Sequence, residues 1–253
     1  MLVMNEVRVM MIEIEALRLF WTIEPTAELL SDYAFSILRS GAEEGPFALI
    51  AENVTPFEYI DTTVNNFSNS RKYFYTIRIT NIVTKDFKDY GVYYNLWQPD
   101  AVALELIRKK NVYLQRYTGI PAIFYSKKTF GQYCPNCWDA LKQRKSKANC
   151  EVCYGTNFAG GYWNPISGFL NTNVPNDIVA TLGPARNPDN FIVETSNYPQ
   201  LKDGDFFLYP QTGKRYRIIK VTQTTRMGAT ISQIIQSTQI NPNDIEYMVG
   251  RHK

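Results

Sequence analysis

The chain has one histidine in 253 residues, four cysteines, and no apolar run long enough to cross a bilayer. Each scarcity excludes something. General acid–base catalysis near neutral pH draws most often on His, and the only one, His252, sits next to the last residue, so no enzymatic activity is expected. The longest apolar stretches are cut by Glu or Arg every few residues, and the uncharged stretch 154–175 is full of Gly, Asn and Pro, so no membrane partner is expected. The first residues show neither a basic segment nor a small-residue cleavage site, which makes cytoplasmic synthesis the expectation. Neither G-x-x-x-x-G-K-[ST] nor G-x-G-x-x-G occurs, because Gly213-Lys214 lacks the upstream Gly and a following Ser or Thr. No nucleotide or other small-molecule substrate is expected. The acidic pairs Asp203/Asp205 and Glu43/Glu44 fall in turn-like contexts and read as solvated carboxylates. Two N-x-[ST] sequons, at Asn53 and Asn66, carry no weight without a secretory signal.

What is abundant points elsewhere. Aromatics make up 14% of the residues and Tyr alone numbers 17, a composition suited to strands and contact surfaces. The net charge of +3 hides a polarity: residues 1–60 carry three Arg against ten Asp and Glu, whereas residues 101–150 carry ten Lys and Arg against two acids. Such a chain can dock its acidic front on the basic middle of another copy.

From Val7 to Thr80 apolar residues alternate with polar ones: Val7, Val9 and Met11, then Leu17, Leu19 and Trp21, then Tyr33, Phe35 and Ile37. Turn residues punctuate the runs at Glu24-Pro25-Thr26, Ser40-Gly41, Glu44-Gly45-Pro46 and Asn65-Asn66. Period two with that spacing predicts a small antiparallel sandwich. Leu19-Phe20-Trp21, Tyr33 to Ser40, Gly45-Pro46-Phe47, Tyr59-Ile60-Asp61 and Tyr73 to Arg78 together resemble a fibronectin type III domain over roughly residues 5–82. That resemblance implies that Trp21 and Tyr75 are core residues and that the module spaces or adheres.

Further along, Ala101, Leu104, Ile107 and Leu114 recur at helical spacing, with Pro99 and Asp100 suited to a first turn and Gly119-Ile120-Pro121 to a stop. One helix of about fifteen residues is predicted, followed by a strand at Ala122-Ile123-Phe124-Tyr125. Arg108, Lys109, Lys110 and Arg116 read as its solvated face.

All four cysteines lie within twenty residues as Cys134-Pro135-Asn136-Cys137 and Cys150-Glu151-Val152-Cys153, a C-x2-C-x12-C-x2-C pattern. Two such knuckles can aim four sulfurs at one centre, and four thiolates make a closed tetrahedral site for a structural Zn2+. With every position filled by protein, nothing is left to polarise a water, so the site holds structure and does not catalyse. Disulfides or a redox dithiol are the competing readings, and both need an oxidising compartment or a reactive thiol. Lys127, Lys128, Lys142, Arg144, Lys145 and Lys147 offset the charge of a tetrathiolate site. The same basic residues would face phosphate in a nucleic-acid-binding zinc ribbon, the alternative reading.

Beyond the glycines at 155, 160 and 161, strands are predicted at 178–180, 191–194, 206–209, 216–221 and 229–235, with a hairpin turn at 210–213 and a turn at 241–244. A second small β domain, barrel or sandwich, follows from them. Leu201 to Phe206 with Gly213-Lys214-Arg215-Tyr216-Arg217-Ile218 resembles small β barrels of tailed-bacteriophage head-completion and head-to-tail joining proteins. Cys134 to Asp139 with Cys150 to Thr156, Gly160-Gly161-Tyr162 and Asp244-Ile245-Glu246-Tyr247 is similar to structural proteins encoded beside phage neck and tail genes, with Asn157 standing where that pattern has Gly.

The expectation is therefore a mainly β chain: residues 1–90 a fibronectin III-like sandwich, 91–128 a linker and helix, 129–163 a zinc ribbon, and 164–253 a small β barrel or sandwich. The resemblance implies a virion protein assembled in the host cytoplasm. Its partners would be further copies of itself in a ring and neighbouring neck, portal or tail proteins, and Cys134, Cys137, Cys150 and Cys153 would be the metal ligands.

Overall fold

A computed structural model describes residues 2–13, 15–54, 57–64, 72–95, 100–173 and 190–250. His252, Pro99, the strand expected at 178–180, the Asn65-Asn66 turn and the Asn66 sequon lie outside the described residues. Among the described residues the chain is mainly β with one α-helix, and it divides into two units, Met1–Gln98 with Thr129–Tyr133, and Pro99–Lys128 with Cys134–Lys253.

The first unit contains β1 (Met4–Glu13), β2 (Ala16–Ile23), β3 (Tyr33–Ser40), β4 (Ala48–Ala51), β5 (Glu58–Asp61), β6 (Phe74–Asn81) and β7 (Phe87–Tyr94). They form a three-stranded sheet in the order β1-β2-β5 and a four-stranded sheet in the order β4-β3-β6-β7, every pairing antiparallel. The alternation seen in sequence is the reason. Leu19, Trp21 and Ile23 on β2, Phe35 and Ile37 on β3, and Ile77 and Ile79 on β6 all turn to one apolar interior and are buried. Trp21 packs on Phe35 at 5.8 Å between ring centroids, Phe35 on Phe57 at 5.1 Å, and Phe57 on Phe130 at 5.3 Å. Each such ring pair adds about 0.5–1.5 kcal/mol beyond its buried area.

Two boundaries differ from the sequence reading. Val92-Tyr93-Tyr94, read as the start of a linker, completes β7 by pairing with β6. Thr129–Tyr133, read as the start of the ribbon, belongs to the first unit, where Phe130 meets Phe20 and Phe57 and Thr26 bridges Gln132. A five-residue segment, Thr129-Phe130-Gly131-Gln132-Tyr133, is too short to show a period that would reveal its partner.

A buried carboxylate ties the two sheets together. Asp61 on β5 is fully buried and accepts hydrogen bonds from Arg39 Nη1 of β3 at 2.7 Å, Tyr75 OH of β6 at 2.9 Å, and both N–H and Oγ1 of Thr63 at 2.9 and 2.7 Å. Burial alone would raise its carboxyl, but the donors from Thr63, Arg39 and Tyr75 outweigh it and hold Asp61 below the ordinary carboxylate range. Burial beside that carboxylate pushes the Tyr75 phenol up, so it stays protonated and donates.

In the second unit, α1 (Ala101–Tyr113) starts at Asp100, whose side chain accepts from Ala103 N–H at 2.7 Å. It buries Ala103, Leu104 and Ile107 and runs into a wider turn, Leu114–Thr118, closed by Gly119 N–H on the Leu114 carbonyl at 2.9 Å. A Cβ on Gly119 would fall 2.1 Å from that carbonyl oxygen, so only Gly allows the closure. Eight strands follow: β8 (Ile120–Tyr125), β9 (Trp138–Asp139), β10 (Arg144–Lys145), β11 (Ile166–Asn171), β12 (Asn190–Ser196), β13 (Phe206–Tyr209), β14 (Lys214–Arg226) and β15 (Ala229–Gln239).

Six of them close into a barrel in the order β11-β12-β15-β14-β13-β8. Its interior is filled by Phe124, Leu170, Val193, Phe207, Ile218 and Ile235. The fully buried Gln233 is satisfied: its Nε2 donates to the Ser196 and Pro199 carbonyls at 2.9 and 2.7 Å and its Oε1 accepts from Leu201 N–H at 2.9 Å. β8 sits in the segment read as linker, yet it is a barrel strand paired with both β11 and β13. The cysteine segment is thus an excursion between two neighbouring barrel strands. Asp205 corrects the reading of a solvated turn carboxylate. It is buried and receives Lys127 N–H and Lys202 N–H at 2.8 Å each, and burial, outweighing those donors, pushes its carboxyl up to about 6.

The Asp61 staple generates a test. Asp61→Ala removes the acceptor of the Tyr75 hydroxyl and leaves Arg39 Nη1 only Thr63 Oγ1 at 2.7 Å in place of its carboxylate, and is expected to lower the stability of the first unit by about 3 kcal/mol, measured by urea denaturation followed by near-ultraviolet circular dichroism. Because the folded-state value is depressed, the contribution is present above the unfolded carboxylate value of about 4 and fades as pH falls through the folded one. Wild type and variant should therefore converge in acid. A loss under about 1 kcal/mol at pH 7 would contradict the staple.

Candidate metal centre

Cys134, Cys137, Cys150 and Cys153 are all buried, and their four sulfur atoms lie within 4.8 Å of one another. The Sγ of Cys134 is 3.7 Å from that of Cys150, and the Sγ of Cys137 is 3.4 Å from that of Cys153. Four thiolates bound tetrahedrally at about 2.3 Å from an ion need edges of about 3.8 Å. The cluster fits a single ion. No disulfide joins the four.

The two knuckles repeat one turn. In the first, the Cys134 carbonyl accepts from Trp138 N–H at 3.1 Å and its sulfur from the N–H groups of Asn136 and Cys137. In the second, the Cys150 carbonyl accepts from Tyr154 N–H at 2.8 Å and its sulfur from the N–H groups of Val152 and Cys153. Two amide donors aimed at one sulfur favour the thiolate, the form that binds a metal. Burial pushes Cys134 and Cys137 up. At Cys150 burial acts the same way, but the Cys153 and Val152 N–H groups with the facing Cys134 and Cys137 thiols outweigh it and bring the thiol down to about 7.

The strands around the knuckles are minimal. β9 and β10 pair over two residues each, and Asp139 Oδ1 caps the loop between them by accepting from Leu141 and Lys142 N–H at 3.0 and 3.1 Å. Besides the cysteines, only Val152 packs against this cluster as an apolar side chain among the described residues. A segment this poor in apolar burial has little besides the sulfur cluster to order it, and the cluster is compatible with a metal site that would do so.

Residues outside the C-x2-C pairs finish the site. Asn157, at φ 78°, turns its carbonyl to Cys134 N–H at 2.9 Å, so it performs the left-handed step expected of Gly, and Asn is among the non-Gly residues that tolerate it best. Thr156 Oγ1 donates to the Cys153 carbonyl at 2.8 Å. Gly161, at φ 67°, lies where a Cβ would stand 2.7 Å from the Cys153 carbonyl oxygen. Lys128, part-buried, donates to the Ala159 carbonyl at 2.6 Å and lies over the Trp163 ring at 4.8 Å, and burial lowers its ammonium. Lys145 donates to the Gly155 carbonyl at 3.1 Å. Of the basic residues expected to offset thiolate charge, these two anchor the ribbon's backbone, whereas Lys142, Arg144 and Lys147 are exposed. Gly161 and Asn157 had a legible signal in the residues after the second knuckle. Lys128 was expected to offset thiolate charge, and its partners are instead the Ala159 carbonyl and the Trp163 ring.

No family model matches the chain, and no curated protein matches it.

Cys150→Ser is expected to abolish stoichiometric metal binding and to remove amide protection across 134–157, while Val193 and Ile235 in the barrel stay protected. Gly161→Ala should destabilise the same segment and Asn157→Gly should leave it unchanged or slightly firmer, by a few tenths of a kcal/mol. Hydrogen exchange read by mass spectrometry checks all three, and full retention of metal by the Ser variant would contradict the four-sulfur site.

Proposed function

We propose that this protein is a non-enzymatic structural component of a tailed-phage virion, a ring-forming member of the neck or head-to-tail connector, with a zinc-clipped ribbon mounted on its barrel. The observation that carries the reading is the closed sulfur cluster. Four cysteine sulfurs exhaust the tetrahedral preference of zinc, so the site has no position for a reacting water or substrate. Cys134, Cys137, Cys150 and Cys153 would hold the ion, whose contribution when bound is folding free energy on the order of 10 kcal/mol. Oxygen-favouring cations are a poor match to an all-thiolate donor set, which is the set that suits zinc.

The remaining parts support mechanical tasks. A three-plus-four antiparallel sandwich with Trp21 and Tyr75 fully buried is the architecture a fibronectin type III module requires, and it supports that reading of the first unit. A closed six-stranded barrel supports the resemblance to head-completion proteins. The ribbon's exit at Gly160-Gly161-Tyr162 is built into the barrel's second apolar cluster, where Tyr162 meets Phe206 at 4.9 Å. A ribbon fixed to a barrel wall in this way serves as a rigid contact surface.

The exposed Lys142, Arg144 and Lys147 around Leu141 at the tip of the β9–β10 loop favour one alternative, a zinc ribbon that grips nucleic acid. The two readings part on salt. Assembly through the acidic front and basic middle should weaken as salt rises, because exposed charges are screened beyond about 8 Å at physiological ionic strength. Sedimentation across a salt series measures it, and rings indifferent to salt would overturn the charge-guided part. The alternative requires DNA or RNA affinity that falls linearly on a log–log salt plot, and an absence of binding at low salt would remove it.

A further inference from the structure

Strand β14 is longer than its neighbour. β13 pairs with it only from Lys214 to Arg217, and Ile218 is taken up by the loop before β13, with Ile218 N–H on the Asp205 carbonyl at 2.8 Å and Gly204 N–H on the Ile218 carbonyl at 3.0 Å. From Ile219 to Arg226, β14 pairs with β15 on one side, and no described strand covers its other edge. Thr222, Gln223, Thr224 and Thr225 are exposed along that edge, bracketed by Lys220 and Arg226. A row of unpaired backbone groups carried on β-branched residues is a template for another strand.

The first unit has a second bare edge of opposite charge. Among the described strands, β4 pairs only with β3. Its flanks, Glu44 and Glu52, are exposed and make no ion pair among the described residues, and Leu49 is half exposed between them.

The geometry points to a strand-to-strand contact between copies of this chain, in which the outer edge of β4 of one protomer lies antiparallel along the free edge of β14 of the next, with Glu52 opposite Lys220. In that register Leu49 faces Gln223 and Ala48 faces Thr224, while Arg226 reaches Asp100 of its own chain at 3.3 Å. Charge decides the partner. Pairing β14 with itself about Gln223 would set Lys220 against Arg226. Like charges directly opposite destabilise a strand pair, and the crossed pairing instead sets Glu52 against Lys220. Because it uses two different surfaces, the contact is heterologous and repeats from copy to copy, as a ring demands. It rests on the assembly reading above and names the surfaces that reading requires.

The test is sedimentation velocity of the full metal-loaded chain as wild type, Lys220→Glu and Glu52→Lys. Each variant alone should associate at least about tenfold more weakly, since it sets like charges opposite each other. An equimolar mixture of the two should recover association, since every contact between unlike copies again joins opposite charges. Amides within 220–226 should gain hydrogen-exchange protection when wild type assembles. A wild type that stays monomeric at every concentration overturns the assembly reading and this contact with it. Association that survives both reversals, fails to return on mixing, or leaves 220–226 unprotected overturns the contact alone.

Discussion

Four sulfur atoms within 4.8 Å of one another are the constraint on which the middle of this protein depends. Between β8 and β11 the chain leaves the barrel wall and forms two knuckles, with only Val152 packed against their sulfurs as an apolar side chain among the described residues. Ordering the backbone costs about 1–2 kcal/mol per residue, and two-residue strands such as β9 and β10 recover little of it. One ion bridging the sulfurs, as proposed above, would supply the missing free energy. The surrounding residues are arranged for that purpose. Amide donors face Cys134 and Cys150, Asn157 and Gly161 turn the backbone where a β-carbon is costly, and Lys128 ties the loop's end to its beginning.

The barrel gives the clip its footing. β8 enters the excursion and β11 leaves it, and the two pair from Ile120 to Phe124 against Ile166 to Leu170. Lys128 N–H meets the Gly161 carbonyl at 2.9 Å and Trp163 N–H the Ser126 carbonyl at 2.9 Å, extending that contact to the base of the knuckles. Movement of the ribbon against the wall would break this short ladder. The first unit is held differently, by alternating apolar strands and by the Asp61 carboxylate, whose donors come from β3, β6 and Thr63 just beyond β5.

The parts of this arrangement that were legible are those written in local pattern. Period-two alternation announced β1, β2, β3 and β6; helical spacing with Asp100 announced α1; and the spacing of the cysteines brought four thiols to one place. What stayed hidden depends on distant partners. β11 lies in the stretch 154–175, full of Gly, Asn and Pro, for which no strand was predicted, and it becomes a strand because β8 is there to pair with it. Asp205 looked like a turn residue because its two donors, Lys127 and Lys202 N–H, stand 78 and 3 residues away. Phe130 has no periodic neighbour and is placed by Phe20 and Phe57. Barrel closure is likewise a property of register between strands, which no single strand encodes.

Elemental analysis of the purified protein, repeated after chelation with amide exchange followed across 134–163, addresses the central claim most directly. The account predicts one zinc per chain and, once it is removed, loss of protection in that segment while the barrel interior around Val193 and Phe207 remains folded. Metal-free protein with the ribbon still protected, or with its four cysteines paired as disulfides, would contradict it.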